Sequence, residues 1–100
     1  MKRRSVYVSP EAYEDLMALS SYISTQSSAE VAARYIDRIE GFLSKLDMGS
    51  ERGTRRDDIR SGLRVIGFEG RITVAFSSDD DRVTVLAILY GGRDWPNLLA

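Results

Sequence analysis

The stretch from Gly62 to Gly92, GLRVIGFEGRITVAFSSDDDRVTVLAILYGG, constrains the fold more than any other part of the chain. It reads as three β-strands in succession. Gly62 to Phe68 and Arg71 to Ser77 flank Glu69 and Gly70, and a two-residue connection ending in glycine between β-branched runs is what a tight hairpin needs. A polar loop, Ser77 to Asp81, precedes Arg82 to Tyr90. Val83 to Leu89 is apolar at nearly every position, which fits a strand buried on both faces, or a central one in a small sheet. Alternation puts Leu63 and Val65 on one face and Arg64, Ile66 and Phe68 on the other, while Ile72, Val74 and Phe76 alternate with Arg71, Thr73 and Ala75.

The preceding half is helical. Arg4 to Val8 alternates weakly and reads as a short first strand bounded by Ser9-Pro10. Ser9 can cap a helix, Pro10 suits its first position, and Glu11, Glu14 and Asp15 put negative charge at the positive end of its dipole. Ala12, Leu16, Leu19 and Ile23, with Tyr13 and Met17 flanking, form one apolar stripe over roughly four turns. Ser24 to Ser28 breaks that pattern, and Ser27 with Glu30 has the spacing of a capping box for a second helix. There Ala32, Tyr35, Ile36, Ile39, Phe42, Leu43 and Leu46 recur at helical spacing and Gly49 is a natural stop. Arg34, Asp37, Arg38, Glu40 and Lys45 lie between them and read as a solvated face. Residues 47–61 lack apolar periodicity, and Arg52, Arg55, Arg56 and Arg60, with Arg64 just beyond, outnumber Asp57 and Asp58 as a locally basic patch. The pattern predicts an α+β fold in the order β-α-α-β-β-β, a helical hairpin packed on one face of a small, mainly antiparallel sheet, as a single domain over residues 1–100.

Composition removes whole classes of chemistry. The 100 residues include no cysteine and no histidine, which excludes disulfides, thiolate chemistry and the commonest general base and metal ligand. No cofactor or metal is expected. The formal charge is −1, and the halves are alike, with six basic residues against seven acids in the first fifty and eight against eight in the second. Bulk charge therefore does not argue for nucleic acid, and no direct, sequence-specific DNA binding by the chain itself is expected. Lys2-Arg3-Arg4 is followed by too short an apolar run for a signal peptide, and nothing approaches a membrane span, so a cytoplasmic protein is expected.

Several local sequences now resemble one family when taken in order. They are Val8-Ser9-Pro10-Glu11-Ala12 with Asp15-Leu16, then Tyr22-Ile23, and Ala33-x-x-Ile36-x-x-Ile39. Gly53-x-x-Arg56, Asp58-Ile59-Arg60-Ser61-Gly62-Leu63-Arg64 and Leu89-Tyr90-Gly91-Gly92-Arg93-Asp94 follow. Each piece is weak alone, but their spacing over nearly the whole chain resembles the toxins of the RelE/ParE superfamily of type II toxin-antitoxin modules. The resemblance implies one of two activities. RelE-like members are ribosome-dependent ribonucleases that cleave mRNA. ParE-like members share the fold, are thought to lack that catalytic set, and poison DNA gyrase by binding it.

The residues favour the second. Metal-free RNA cleavage needs a group to deprotonate the 2′-hydroxyl, a cation for the phosphorane and a donor to the leaving oxygen. Without histidine the alternative catalytic set is Arg64, Arg82 and Tyr90; arginine holds its proton too tightly to be a base, and tyrosine needs a lowered pKa. A ribosome-bound nuclease is also expected to be strongly basic. The expected function is therefore a toxin that inhibits gyrase by direct contact through Arg64, Tyr90, Arg93 and Trp95, with no catalytic residues of its own. Its expected partner is a cognate antitoxin, forming a hetero-oligomer, whose C-terminal segment folds against Leu16, Met17, Tyr22, Tyr35 and Ile39. Tyr90 reads more often as the aromatic end of a core strand than as a catalytic phenol, Arg64 more often as a partner of Asp58 or Glu69 or as a solvated group, and Trp95, Leu98 and Leu99 as either a contact surface or a segment folded back on the core. An inactive relative that only complexes its antitoxin also stays open.

Overall fold

A computed structural model describes residues 5–47 and 52–91. The elements are β1 (Ser5–Val8), α1 (Pro10–Gln26), α2 (Ala29–Ser44) continued by a 3-10 turn (Lys45–Asp47), β2 (Thr54–Arg55), β3 (Arg64–Phe68), β4 (Ile72–Ser78) and β5 (Arg82–Tyr90). The strands make one sheet in the order β1-β5-β4-β3-β2, with β1 parallel to β5 and every other pair antiparallel. The expected α+β order is present.

Ser9 starts α1 as the sequence predicts. Its extended backbone precedes Pro10, and its hydroxyl accepts from the Ala12 amide at 3.1 Å. Ala12, Leu16, Leu19 and Ile23 are the buried stripe. The second cap differs by one residue: Ser28, not Ser27, accepts from the Val31 amide at 3.1 Å. The Ser24 to Gln26 run stays helical because Thr25 donates its hydroxyl to the Ser21 carbonyl at 2.9 Å, turning a potential breaker inward onto its own helix. On α2, Ala32, Ile39 and Leu43 are buried.

The hairpin between β3 and β4 is the expected one. Glu69 (φ 51) and Gly70 (φ 73) both adopt the left-handed backbone that primed turns require, and the Arg71 amide donates to the Phe68 carbonyl at 3.3 Å. Two features depart from expectation. β5 is interior but not the middle strand, because Thr54–Arg55 pair with Val65 and Arg64 and add a fifth strand from the stretch that read as irregular. β5 is buried on both faces, as expected, but without regular alternation. Phe76 pairs with Val85 but Ala75 pairs with Ala87, so Leu86 is an extra residue in a β-bulge. Val83, Val85 and Ile88 therefore face the helices, whereas Leu86, Ala87 and Leu89 pack on the opposite face with Leu63, Val65 and Ile59. The bulge flips the alternation midway, which is why the run reads as continuously apolar.

α1 is pinned to this bulge. The Ser9 amide donates to the Val85 carbonyl at 3.0 Å, and the Asp15 carboxylate accepts from the Ile88 amide at 2.9 Å.

Candidate partner-binding surfaces

Three regions carry the residues singled out from the sequence. The first is the outer side of the helical hairpin. Tyr13 and Met17, four residues apart on α1, are 58% and 57% exposed, and Tyr22 at 50% and Tyr7 at 44% are the other exposed large apolar residues among those described. They edge an open cleft of about 270 Å³ between α1 and α2, floored by Leu16 and Ile36. A second cleft, about 330 Å³, continues past Tyr13 and Leu16 to Val6 and Val8 on edge strand β1. Of the expected antitoxin contacts, Leu16 and Met17 meet here.

The other three expected contacts lie elsewhere. Ile39 is fully buried, because it sits at the centre of the α2 stripe facing the sheet, and its side chain offers no surface to a partner. Tyr22 turns toward the sheet end, its ring centroid 5.6 Å from that of Tyr90. Tyr35 packs edgewise on Phe68 at 6.5 Å with the Arg38 guanidinium over its ring at 4.9 Å. Tyr13, Asp37 and Glu40 are groove residues that the sequence set omits. Tyr13 was visible as an apolar residue just off the buried stripe; the two acids looked like any solvated pair.

The second region is the end of the sheet where β5 stops. Tyr90 pairs with Ile72, meets the Tyr22 ring at a tilt of 51° and lies beside Arg71, and that hydrogen-bonding neighbour raises the guanidinium pKa. Arg38 donates to both Glu69 carboxylate oxygens, at 2.9 and 3.1 Å, holding Glu69 below its ordinary range. Tyr35 is pushed up, first by desolvation and then by the Glu69 charge, and its hydroxyl is buried without a hydrogen-bond partner. Arg93 and Trp95 lie outside the described residues. Asp15, Leu19, Tyr22, Ile88 and Tyr90 line a cleft of about 190 Å³ beside this end.

The third region is the basic loop, and much of its charge is answered locally. Arg55 pairs with Asp57 at 2.6 Å, and Arg56 forks onto Asp58 at 2.9 and 2.8 Å. Asp57 also accepts from the Gly62 amide at 2.8 Å, the main cause of its lowered pKa.

Arg64, Arg82 and Tyr90 are not brought together. Arg82 and Tyr90 are the two ends of β5, about 26 Å apart at the usual rise per residue, and Arg82 lies over the Tyr7 ring at 5.0 Å. Arg64 pairs with Phe76, four positions along the ladder from the Phe68–Ile72–Tyr90 row. That spacing is about 13 Å along the strand before the two intervening strand widths are added. The alternative catalytic set therefore has no common centre. Among the described residues no group of three or more metal-ligating side chains occurs, and no helix is long and apolar enough to cross a membrane.

The two-helix hairpin on a mainly antiparallel sheet is an α+β architecture that by itself fixes no activity. The solved structure of the "Chromosomal ParDE TA system from P. aeruginosa" superimposes with a TM-score of 0.79 at 18% identity, over 91% of this chain and 99% of that one. The chain belongs to the family "ParE toxin of type II toxin-antitoxin system, parDE", which it matches over residues 6–95. No curated protein sequence matches it.

Proposed function

We propose that this ParE-family toxin acts in the cytoplasm by binding DNA gyrase, with no catalytic chemistry of its own, and is neutralised by a cognate antitoxin. Membership of the ParE family over residues 6–95 carries the reading. The dispersal of Arg64, Arg82 and Tyr90 over the sheet supports it, since proton transfer needs its groups within hydrogen-bond reach of one reacting centre. The gyrase contact is assigned to Tyr90 at the end of β5, to Arg93 and Trp95 just after it, and to Arg64 further along the sheet. The antitoxin is assigned to the hairpin groove, where Leu16 and Met17 lie with Tyr13; its C-terminal segment, unfolded alone, orders there as a helix.

A gyrase supercoiling and cleavage assay with the purified chain tests this. Loss of supercoiling with accumulation of cleaved DNA, relieved by the antitoxin, is the expected result. Growth arrest by folded protein that leaves gyrase untouched, with mRNA cleavage instead, would overturn it in favour of a ribosome-dependent ribonuclease.

A further inference from the structure

The groove on the hairpin has an edge of unanswered negative charge. Its two clefts share Tyr13, Leu16 and Glu40, so they form one continuous channel with Glu40 at its waist, running from Met17 and Ile36 to Val6 and Val8. Asp37 lies one turn before Glu40 on α2, on the same side of the helix, and also lines the channel. The ion pairs among the described residues join Arg38 to Glu69, Arg55 to Asp57 and Arg56 to Asp58; neither Asp37 nor Glu40 takes part in them. Arg34, one turn before Asp37, makes no such pair with it either.

In the free chain this costs little, because both carboxylates are exposed and hydrated. A bound segment changes that. An apolar ridge laid over Tyr13, Met17 and Ile36 strips water from the two carboxylates, and a desolvated carboxylate without a counter-charge is strongly unfavourable. The occupant must bring cations to the place where the groove holds anions.

We infer that Asp37 and Glu40 select the antitoxin: the segment that fills this groove is an amphipathic helix carrying two lysine or arginine residues one turn apart at the edge of its apolar face. This rests on the antitoxin reading of the groove and adds the charge that the partner must carry. Arg38, Arg55 and Arg56 are already engaged within the chain and do not answer these carboxylates.

Two labelled synthetic helical peptides of leucine and alanine test it, identical except for lysine or glutamate at two edge positions one turn apart. Each is titrated into the full chain by fluorescence anisotropy. The lysine peptide is expected to bind about ten-fold more tightly than the glutamate peptide at low salt, with the gap narrowing as salt is added. D37N/E40Q is expected to abolish the preference and D37K/E40K to invert it, while circular dichroism stays unchanged. Equal binding of the two peptides overturns charge selection. Binding of neither to folded protein, or self-association of the chain abolished by Met17→Asp, overturns the groove as a helix site. Growth arrest on expression is scored separately: its absence with the lysine preference intact fails the toxin reading alone, and its presence without the preference fails the groove inference alone.

Discussion

Replacing Asp15 with alanine removes the tie that holds the first helix to the last strand. β1 ends opposite Val85, so beyond that point β5 has no neighbouring strand on its β1 side. After the bulge at Leu86, the Ile88 amide is donated to that side, and the Asp15 carboxylate, 73 residues away in sequence, takes it at 2.9 Å in a partly buried setting. A hydrogen bond to a charged group contributes about 1.5–3 kcal/mol, and a stranded buried amide costs about as much. The neighbouring cleft of about 190 Å³ can admit a water once the carboxylate is gone, which recovers part of the loss. The expected net cost is about 1.5 kcal/mol, or a fall in Tm of about 6–12 °C for a chain of this size. Asp15→Asn keeps a carbonyl acceptor in place and is expected to lose about half as much. Urea unfolding gives both values, and amide exchange at Ile88 is expected to quicken in the alanine variant ahead of global unfolding. Alanine within about 0.3 kcal/mol of the parent, or asparagine as costly as alanine, would refute the assignment of Asp15 as the acceptor that closes the bulge.

Gly53 and Gly62 both have positive φ, 82° and 79°, but only at Gly53 would a Cβ overlap the Val65 carbonyl oxygen. Gly62→Ala is therefore expected to cost about 1 kcal/mol of backbone strain and Gly53→Ala about 2 kcal/mol or more, read by urea denaturation; equal costs would mean that β2 yields freely. Tyr35→Phe deletes a buried hydroxyl that has no partner, so stability is expected to stay level or rise by up to about 1 kcal/mol; a loss would reveal a hydrogen bond to that oxygen. Glu69 is held below its ordinary 4.5 by Arg38, and Asp57 and Asp58 below 3.8 by the Gly62 amide and Arg56. A depressed carboxylate stabilises above its unfolded pKa, and that contribution is lost as pH falls through the folded value. Thermal melts are expected to weaken below about pH 4.5, by less in Arg38→Ala, and an identical acid profile in that variant would remove Glu69 as a cause.

Elements whose signals are local were legible in the sequence. Ser9-Pro10 and the stripe from Ala12 to Ile23 specify α1 through capping and periodicity alone, and Glu69-Gly70 specifies a turn that only left-handed residues can make. Pairings set by distant partners were not. Thr54–Arg55 is a strand only because Arg64 and Val65 present their edge to it, and two polar residues carry no strand pattern of their own. The bulge at Leu86 is likewise invisible in an all-apolar run, since either face accepts each residue; Asp15 on another element takes the amide beyond it. Ser24 to Gln26 misled for the opposite reason, because the Thr25 hydroxyl found its acceptor one turn back in the helix it was expected to end.

The candidate site was harder to read because residue type says little about which side chains share a surface. Tyr90, Arg82 and Arg64 are plausible chemistry on paper, yet a strand of nine residues holds its ends apart by its own length, so Arg82 and Tyr90 cannot face one substrate atom. Ile39 matches the apolar spacing of Tyr35 and Ile36, but the helix turns it to the sheet while leaving Ile36 on the groove. Met17 and Tyr13 follow the inverse logic. They sit beside the buried stripe where a solvated helix would carry polar groups, and their exposure with Leu16 beneath leaves apolar surface that folding does not cover. A chain of 100 residues that buries Phe76, Val85 and Ile39 completely and still leaves Tyr13 and Met17 more than half exposed has a core that is closed without them. On the proposed antitoxin reading their contribution belongs to association, and the two carboxylates beside them, not the apolar residues, would discriminate one partner from another.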